Sequence, residues 1–226
     1  MSNLCTGAVT FYSENEESVK RLMLKLEEIY NSPKRKDSVY EKGWLGHFAN
    51  TFFPEIGWRR IPCQGRIELG KMEKKEKYFV YTIYTSTRNE AKIGIWHHIV
   101  EKFYPDIKIA YVAEECSMGY YVKWDETGLF YQDEYCISGC VPVKRDKPIY
   151  LGEEDHYWTD LADLQAWLDE LLPFKFLHST DITEMENSIQ EILDELDDDD
   201  GEDKYYFNIY PFISIPPAEF EFEKAE

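Results

Sequence analysis

Apolar and polar positions alternate along residues 7–13 (GAVTFYS), the two-residue period of a strand. The spacing then turns helical at Val19, Leu22, Met23, Leu26 and Ile29. Ser13 with Glu16 makes a capping-box pattern ahead of that helix, and Ser32-Pro33 ends it near Asn31. Residues 33–63 lose the period; they read as an insertion with one short helix over 44–53, packed by Trp44, Phe48, Phe52 and Trp58. Two strands follow, 65–69 and 78–84, joined by the charged stretch GKMEKKEK as a hairpin end. In the second, Phe79, Tyr81 and Ile83 share one face, and Tyr78, Val80, Thr82 and Tyr84 the other.

Thr87 with Glu90 is a second capping-box pattern, leading into a helical face of Ala91, Ile95, Ile99 and Phe103 that stops at Pro105. Residues 107–112 and 120–124 are strand-like, and a turn at 125–128 leads to a further strand over 129–135. The predicted order is strand, helix, insertion, two strands, helix, strand. That is the α+β class, with a ferredoxin-like split βαβ antiparallel sheet carrying two helices on one face. The predicted domains are residues 1–140, with the insertion at about 33–63, and an acidic α+β extension over 141–226. In that extension, strands are expected at 141–143 and 148–151. Helices are expected after Thr159, with Leu161, Leu164, Leu168 and Leu171 inward, and after Asp181.

Charge changes the picture. The chain carries 44 Asp and Glu against 25 Lys and Arg, a net of −19 over 226 residues. Residues 1–108 hold 18 basic and 14 acidic side chains, a net of +4; residues 109–226 hold 7 and 30, a net of −23. Acidity this segregated opposes direct contact with nucleic acid through the C-terminal half. It expects instead a protein partner with a basic surface. The densest run is Asp194, Glu195, Asp197, Asp198, Asp199, Asp200, Glu202 and Asp203, a candidate acidic binding surface able to mimic a ladder of phosphates.

Candidate chemistry is sparse. Paired carboxylates at Glu114, Glu115 and Asp125 are the alternative site, suited to acid–base work or to holding a divalent metal on a nucleotide or nucleic-acid substrate. Cys136 and Cys140 are spaced too loosely for a zinc knuckle and lack a second pair, and His97 and His98 diverge by about 100° on a helix. No phosphate-loop, dinucleotide, nucleophile-elbow or HExxH pattern occurs, so no catalytic residues, metal or cofactor are expected. The five cysteines, the absence of a signal-peptide pattern and the absence of a long apolar run lead to the expectation of a reduced cytoplasmic protein without membrane contact.

The opening MSNLCTGAVTFYSENEESVKRL and the stretch NEAKIGIWHHIVEKFYPDIKIAYVAEECSMGYYVKWDETG together resemble the YubB ferredoxin-like domain family of plasmid and phage proteins. The likeness lies in a Met-x-Asn-x-Cys start, a helix ending in Tyr-Pro, and a Glu-Glu pair before a glycine-bearing strand. It spans residues 1–140; this chain has Leu4 and Thr6 where the family commonly has Trp and Asn, and it lacks the Trp-rich segment before the central helix. The resemblance implies carriage on a mobile element and brings no established activity. The expected function is a non-enzymatic interaction protein of such an element, an acidic nucleic-acid mimic that inhibits a host defence or nucleic-acid-binding protein. The alternatives are the carboxylate- or metal-dependent enzyme and, on fold analogy, a small-molecule-binding regulatory domain.

Overall fold

The computed structural model describes residues 3–32, 42–143, 148–151, 157–196 and 204–220. The chain forms an α+β protein of two compact units: residues up to Tyr131 with those from Ile213 on, and Gln132–Phe212.

In the first unit, β1 (Leu4–Ser13) leads into α1 (Glu16–Asn31). Asn15, not Ser13, caps that helix: its side chain accepts from the Glu17 amide at 3.1 Å, while Ser13 Oγ accepts from the Asn15 amide. Val19, Leu22, Leu26 and Ile29 form the buried stripe. The segment before the hairpin supplies α2 (Leu45–Phe52) and a 3-10 turn at Trp58–Arg60. Leu45, Phe48, Ala49 and Phe52 are buried in the same core as the α1 stripe, so α2 belongs to the core layer.

β2 (Gly65–Lys75) and β3 (Tyr78–Arg88) run through the charged stretch expected to be a turn, leaving Glu76 and Lys77 as the connection. The charges fit because β2 is the edge of the sheet, where charged side chains block pairing with other chains. Strand β3 also runs past Thr87, and α3 (Ile93–Phe103) starts after Lys92, so the expected capping box does not form. Thr87 Oγ1 donates to the carbonyls of Glu90 and Cys5 instead.

β4 (Lys108–Glu115) and β5 (Tyr120–Trp124) follow, joined by a 3-10 turn that ends at Gly119 with φ 63°. Much later the chain returns as β10 (Ile213–Ser214). The sheet order is β10-β5-β4-β1-β3-β2, antiparallel at every pair except β10, which lies parallel to β5. In sequence α1 connects β1 to β2 and α3 connects β3 to β4, and each helix joins two strands separated by one other. The expected all-antiparallel sheet is thus a mixed one. Trp96 of α3 sits edge-on to Phe11 and to Phe48, tying sheet, α3 and α2 together.

In the second unit, β6 (Tyr135–Val141) pairs along its length with β9 (Tyr206–Pro211) and, over different residues, with β7 (Ile149–Leu151) and β8 (Tyr157–Trp158). Because β6 pairs with these strands and not with the first sheet, the boundary falls after Tyr131 instead of at residue 140. The strand expected over 129–135 is absent: Asp125 draws the amides of Phe130 and Tyr131 into a turn. α4 (Leu161–Leu171) is capped by Asp160 instead of Thr159, and α5 (Ile182–Leu196) by Asp181, as its sequence suggests. Leu164, Leu168, Met185, Ile189 and Leu193 share one core with Ile137, Val141, Phe207 and Ile209. Ile137 and Val141 lie on the same face of β6, so both helices cover one face of this sheet.

Candidate functional site

The three carboxylates of the alternative site do not converge. Glu114 and Glu115 are neighbours on β4 and point to opposite faces. Asp125 follows the far end of β5, where Trp124 pairs with Tyr111, whereas Glu115 pairs with Tyr120. The separation along the strands is roughly 15 Å. Each of these two carboxylates has local work. Asp125 Oδ1 accepts from the Thr127 amide and hydroxyl, at 3.0 and 2.7 Å, and Oδ2 accepts from the amides of Phe130 and Tyr131, at 2.6 and 3.0 Å. Burial pushes its acidity one way, and these hydrogen bonds pull harder the other, leaving the carboxyl below its ordinary range.

Glu115 belongs to a polar row across the helix-facing side of the sheet. Cys5 pairs with Thr87 and Glu115 with Tyr120; the pair Thr6–Glu114 sets Cys5 beside Glu115. Glu115 is 3% exposed. Its Oε1 accepts from the Ser117 hydroxyl and amide, and its buried Oε2 has no hydrogen-bond partner among the described residues. Burial pushes the Cys5 thiol up to about 11, and the Tyr120 phenol up to about 12. The row is a packed polar end of the core, in which burial favours the protonated thiol of Cys5.

At the opposite end of α3 lies an open groove of about 380 Å³. Val100, Ile107, Ile109 and Trp124 line its apolar side, and the returning segment Pro216-Pro217-Ala218 closes another. At its rim Lys108 is paired with Glu126 at 2.9 Å, and Glu101 approaches His97 at 4.0 Å and His98 at 3.4 Å. Nothing in the sequence pattern marked this groove, because it needs the C-terminal return to exist.

Of the acidic run, Asp194 and Glu195 are exposed on the last turn of α5, and Asp194 accepts from Gln190 Nε2 at 2.8 Å. Asp197, Asp198, Asp199, Asp200, Glu202 and Asp203 lie outside the described residues. The acidity extends well beyond that run. Residues 132–212 hold 22 Asp and Glu against 5 Lys and Arg, a net of −17, which leaves −2 for the rest of the chain. Asp163, Asp169 and Glu170 of α4 and Glu184, Glu191, Asp194 and Glu195 of α5 are exposed. Both helices end without a basic residue in the last turn. Carboxylates there oppose the helix dipole, at about 0.3–1 kcal/mol each when exposed.

Among the described residues no group of three or more His, Cys, Asp or Glu is placed to hold a metal, and no helix is long and apolar enough to cross a membrane. Comparison with known protein-family models, curated proteins and solved structures gives no match.

Proposed function

We propose that this is a non-enzymatic interaction protein in which a ferredoxin-like core carries an acidic inserted unit. The core reading is supported by the strand order β4-β1-β3-β2 with its two connecting helices. The inserted unit docks on a basic, nucleic-acid-binding surface of a partner protein and competes with the nucleic acid for it. One observation carries this reading: a net of −17 is concentrated in residues 132–212, with exposed carboxylates on both helices, including helix ends where they cost stability. The helix dipole favours Asp163 and Glu184 in the first turns but not Glu170, Asp194 and Glu195 in the last ones, and electrostatic complementarity to a basic channel supplies a reason for the latter. The resemblance to plasmid and phage proteins adds the expected class of target, a host defence or nucleic-acid-binding protein; a site of action in the cytoplasm rests on the cysteine usage.

The test is retention of lysate proteins on the immobilised full chain at low and at moderate salt, followed by elution with duplex DNA. A basic nucleic-acid-binding protein is expected to bind at low salt and to leave when DNA is added. It should also be lost when Asp163, Asp169, Glu170, Glu184, Glu191, Asp194 and Glu195 are changed to Asn or Gln. Failure to retain any such protein at low salt, or retention unaffected by those changes, overturns the reading.

A further inference from the structure

The groove at the C-terminal end of α3 has the features of a small-ligand site. Its volume of about 380 Å³ falls within the usual range for such sites. It is also held open by fixed structure. The Ile215 amide donates to the Lys123 carbonyl at 3.0 Å, and Tyr111 Oη donates to the Ile215 carbonyl at 2.6 Å. Phe220 packs edge-on against the Tyr111 ring. Pro216 and Pro217 are therefore anchored on both sides, and neither carries a backbone N–H to offer a ligand.

The charges at the rim decide what fits. Lys108 is taken up by Glu126, so that pair is neutral as a unit. Glu101 approaches only imidazoles among the described residues, and these are cationic only when protonated. Among the described residues Glu101 thus has no Lys or Arg within ion-pair distance, and Trp124 lines the same groove as an apolar surface for an aromatic body. With Lys108 and Glu126 cancelling, an anionic ligand would meet the remaining carboxylate of Glu101, whereas an ammonium would bring it a permanent cation.

We propose that this groove binds a small organic cation, with an aromatic body lying against Trp124, Ile107 and Ile109 and a primary ammonium directed to Glu101. The groove is lined by residues of the first unit, so its test does not depend on the docking reading.

The probes are 2-phenylethylammonium, 2-phenylethanol and 3-phenylpropionate, matched in body and differing in charge. Each is titrated into the full-length protein, labelled with nitrogen-15, and followed at the Trp124 indole N–H, assigned by its loss in Trp124→Phe. The ammonium is expected to shift that signal saturably at about 10 mM, a millimolar affinity fitting a single small contact. The alcohol should bind several-fold more weakly and the carboxylate should leave the signal unmoved. Glu101→Gln should weaken the ammonium by about fivefold, the size of one exposed charge contact, and leave the alcohol unchanged. Glu101 is exposed, so this variant folds, and unchanged distant amide signals verify that. No saturable shift with the ammonium, equal binding of ammonium and carboxylate, or full ammonium affinity in Glu101→Gln overturns the proposal.

Discussion

Tyr111, in the middle of β4, donates its hydroxyl hydrogen to the carbonyl of Ile215 at 2.6 Å, joining residues 104 positions apart. Its ring is fully buried, and the bond secures the point where the chain, after completing the second unit, re-enters the first. Tyr111→Phe keeps the ring and removes the bond. The expected loss is about 1 kcal/mol in denaturant unfolding of the first unit. Faster hydrogen exchange at the Ile215 amide should accompany it, since that amide shares the same strap. Unchanged exchange there would show that the β10–β5 pairing alone holds the segment.

Asp125 is expected to be a structural residue. Asn in its place can accept at only one of two positions, so Asp125→Asn loses about half of the four hydrogen bonds received. A destabilisation of about 1–3 kcal/mol follows at neutral pH. The carboxyl is held below its ordinary range in the folded chain, so its stabilisation is present above the unfolded value of 3.8 and is lost as pH falls through the lower folded one. The gap between the parent protein and Asp125→Asn in unfolding free energy should therefore narrow in acid. A gap independent of pH would count against the carboxylate as its source.

The same residue shows where local pattern stopped being informative. Residues 129–135 carry strand-like composition, yet Asp125 captures their amides from five and six positions away. The first sheet was legible because its strands keep a two-residue period and α1 a 3.6-residue one, as Val9 and Phe11 against Val19, Leu22 and Leu26 illustrate. The second unit's boundaries were not, because Ile213 and Ser214 continue the run Tyr206–Pro211 in sequence and part from it only by pairing with Val122 and Lys123. Charge segregation was visible from counting, but its match to one folded unit required the fold. Glu101 had no signal at all: a carboxylate on the outer face of a helix is ordinary until Trp124 and Pro216 are brought near it.

Cysteine accessibility offers a direct check on both cores. Cys116 is exposed in the turn between β4 and β5, whereas Cys5, Cys63, Cys136 and Cys140 are buried. A thiol-reactive dye should label one cysteine rapidly in native buffer and all five in denaturant. Substitution of Cys116 by Ser should abolish the rapid phase. Rapid labelling at Cys136 or Cys140 would mean that the second unit opens independently at low cost.

Salt should stabilise the second unit. With a net of −17 over residues 132–212 and helix ends that lack basic residues, self-repulsion works against the compact state. Raising ionic strength from about 10 mM to 150 mM shortens the screening length from about 30 Å to 8 Å. The melting temperature should rise over that interval, most for the transition reported by Trp158 and Trp167, whose rings lie 5.2 Å apart in this unit. Asp194→Asn with Glu195→Gln should raise the low-salt value and reduce the salt response. A flat salt dependence would show that these carboxylates do not repel one another appreciably.

Alkaline pH should act on the first unit. Burial raises the phenols of Tyr12, Tyr81, Tyr111 and Tyr131 above their ordinary value of 10. Among the described residues the Tyr12 and Tyr81 hydroxyls also have no hydrogen-bond partner. Above pH 10 the unfolded chain releases phenolic protons that the folded chain keeps, so the unfolded state binds fewer protons and stability falls as pH rises. Each such group contributes about 1.4 kcal/mol per pH unit until its folded value is reached. The thiols of Cys5 and Cys63, raised to about 11 from 9, act in the same sense over a lower window. Tyr81→Phe separates this effect from packing: it deletes a buried, unpartnered hydroxyl while keeping the ring, so stability at neutral pH should hold or improve. The decline above pH 10 should become shallower by about one proton's worth. If Tyr81→Phe leaves the alkaline slope unchanged, the phenol is reached by solvent in the folded protein, and the tight fit of β3 against α1 would have to be redrawn.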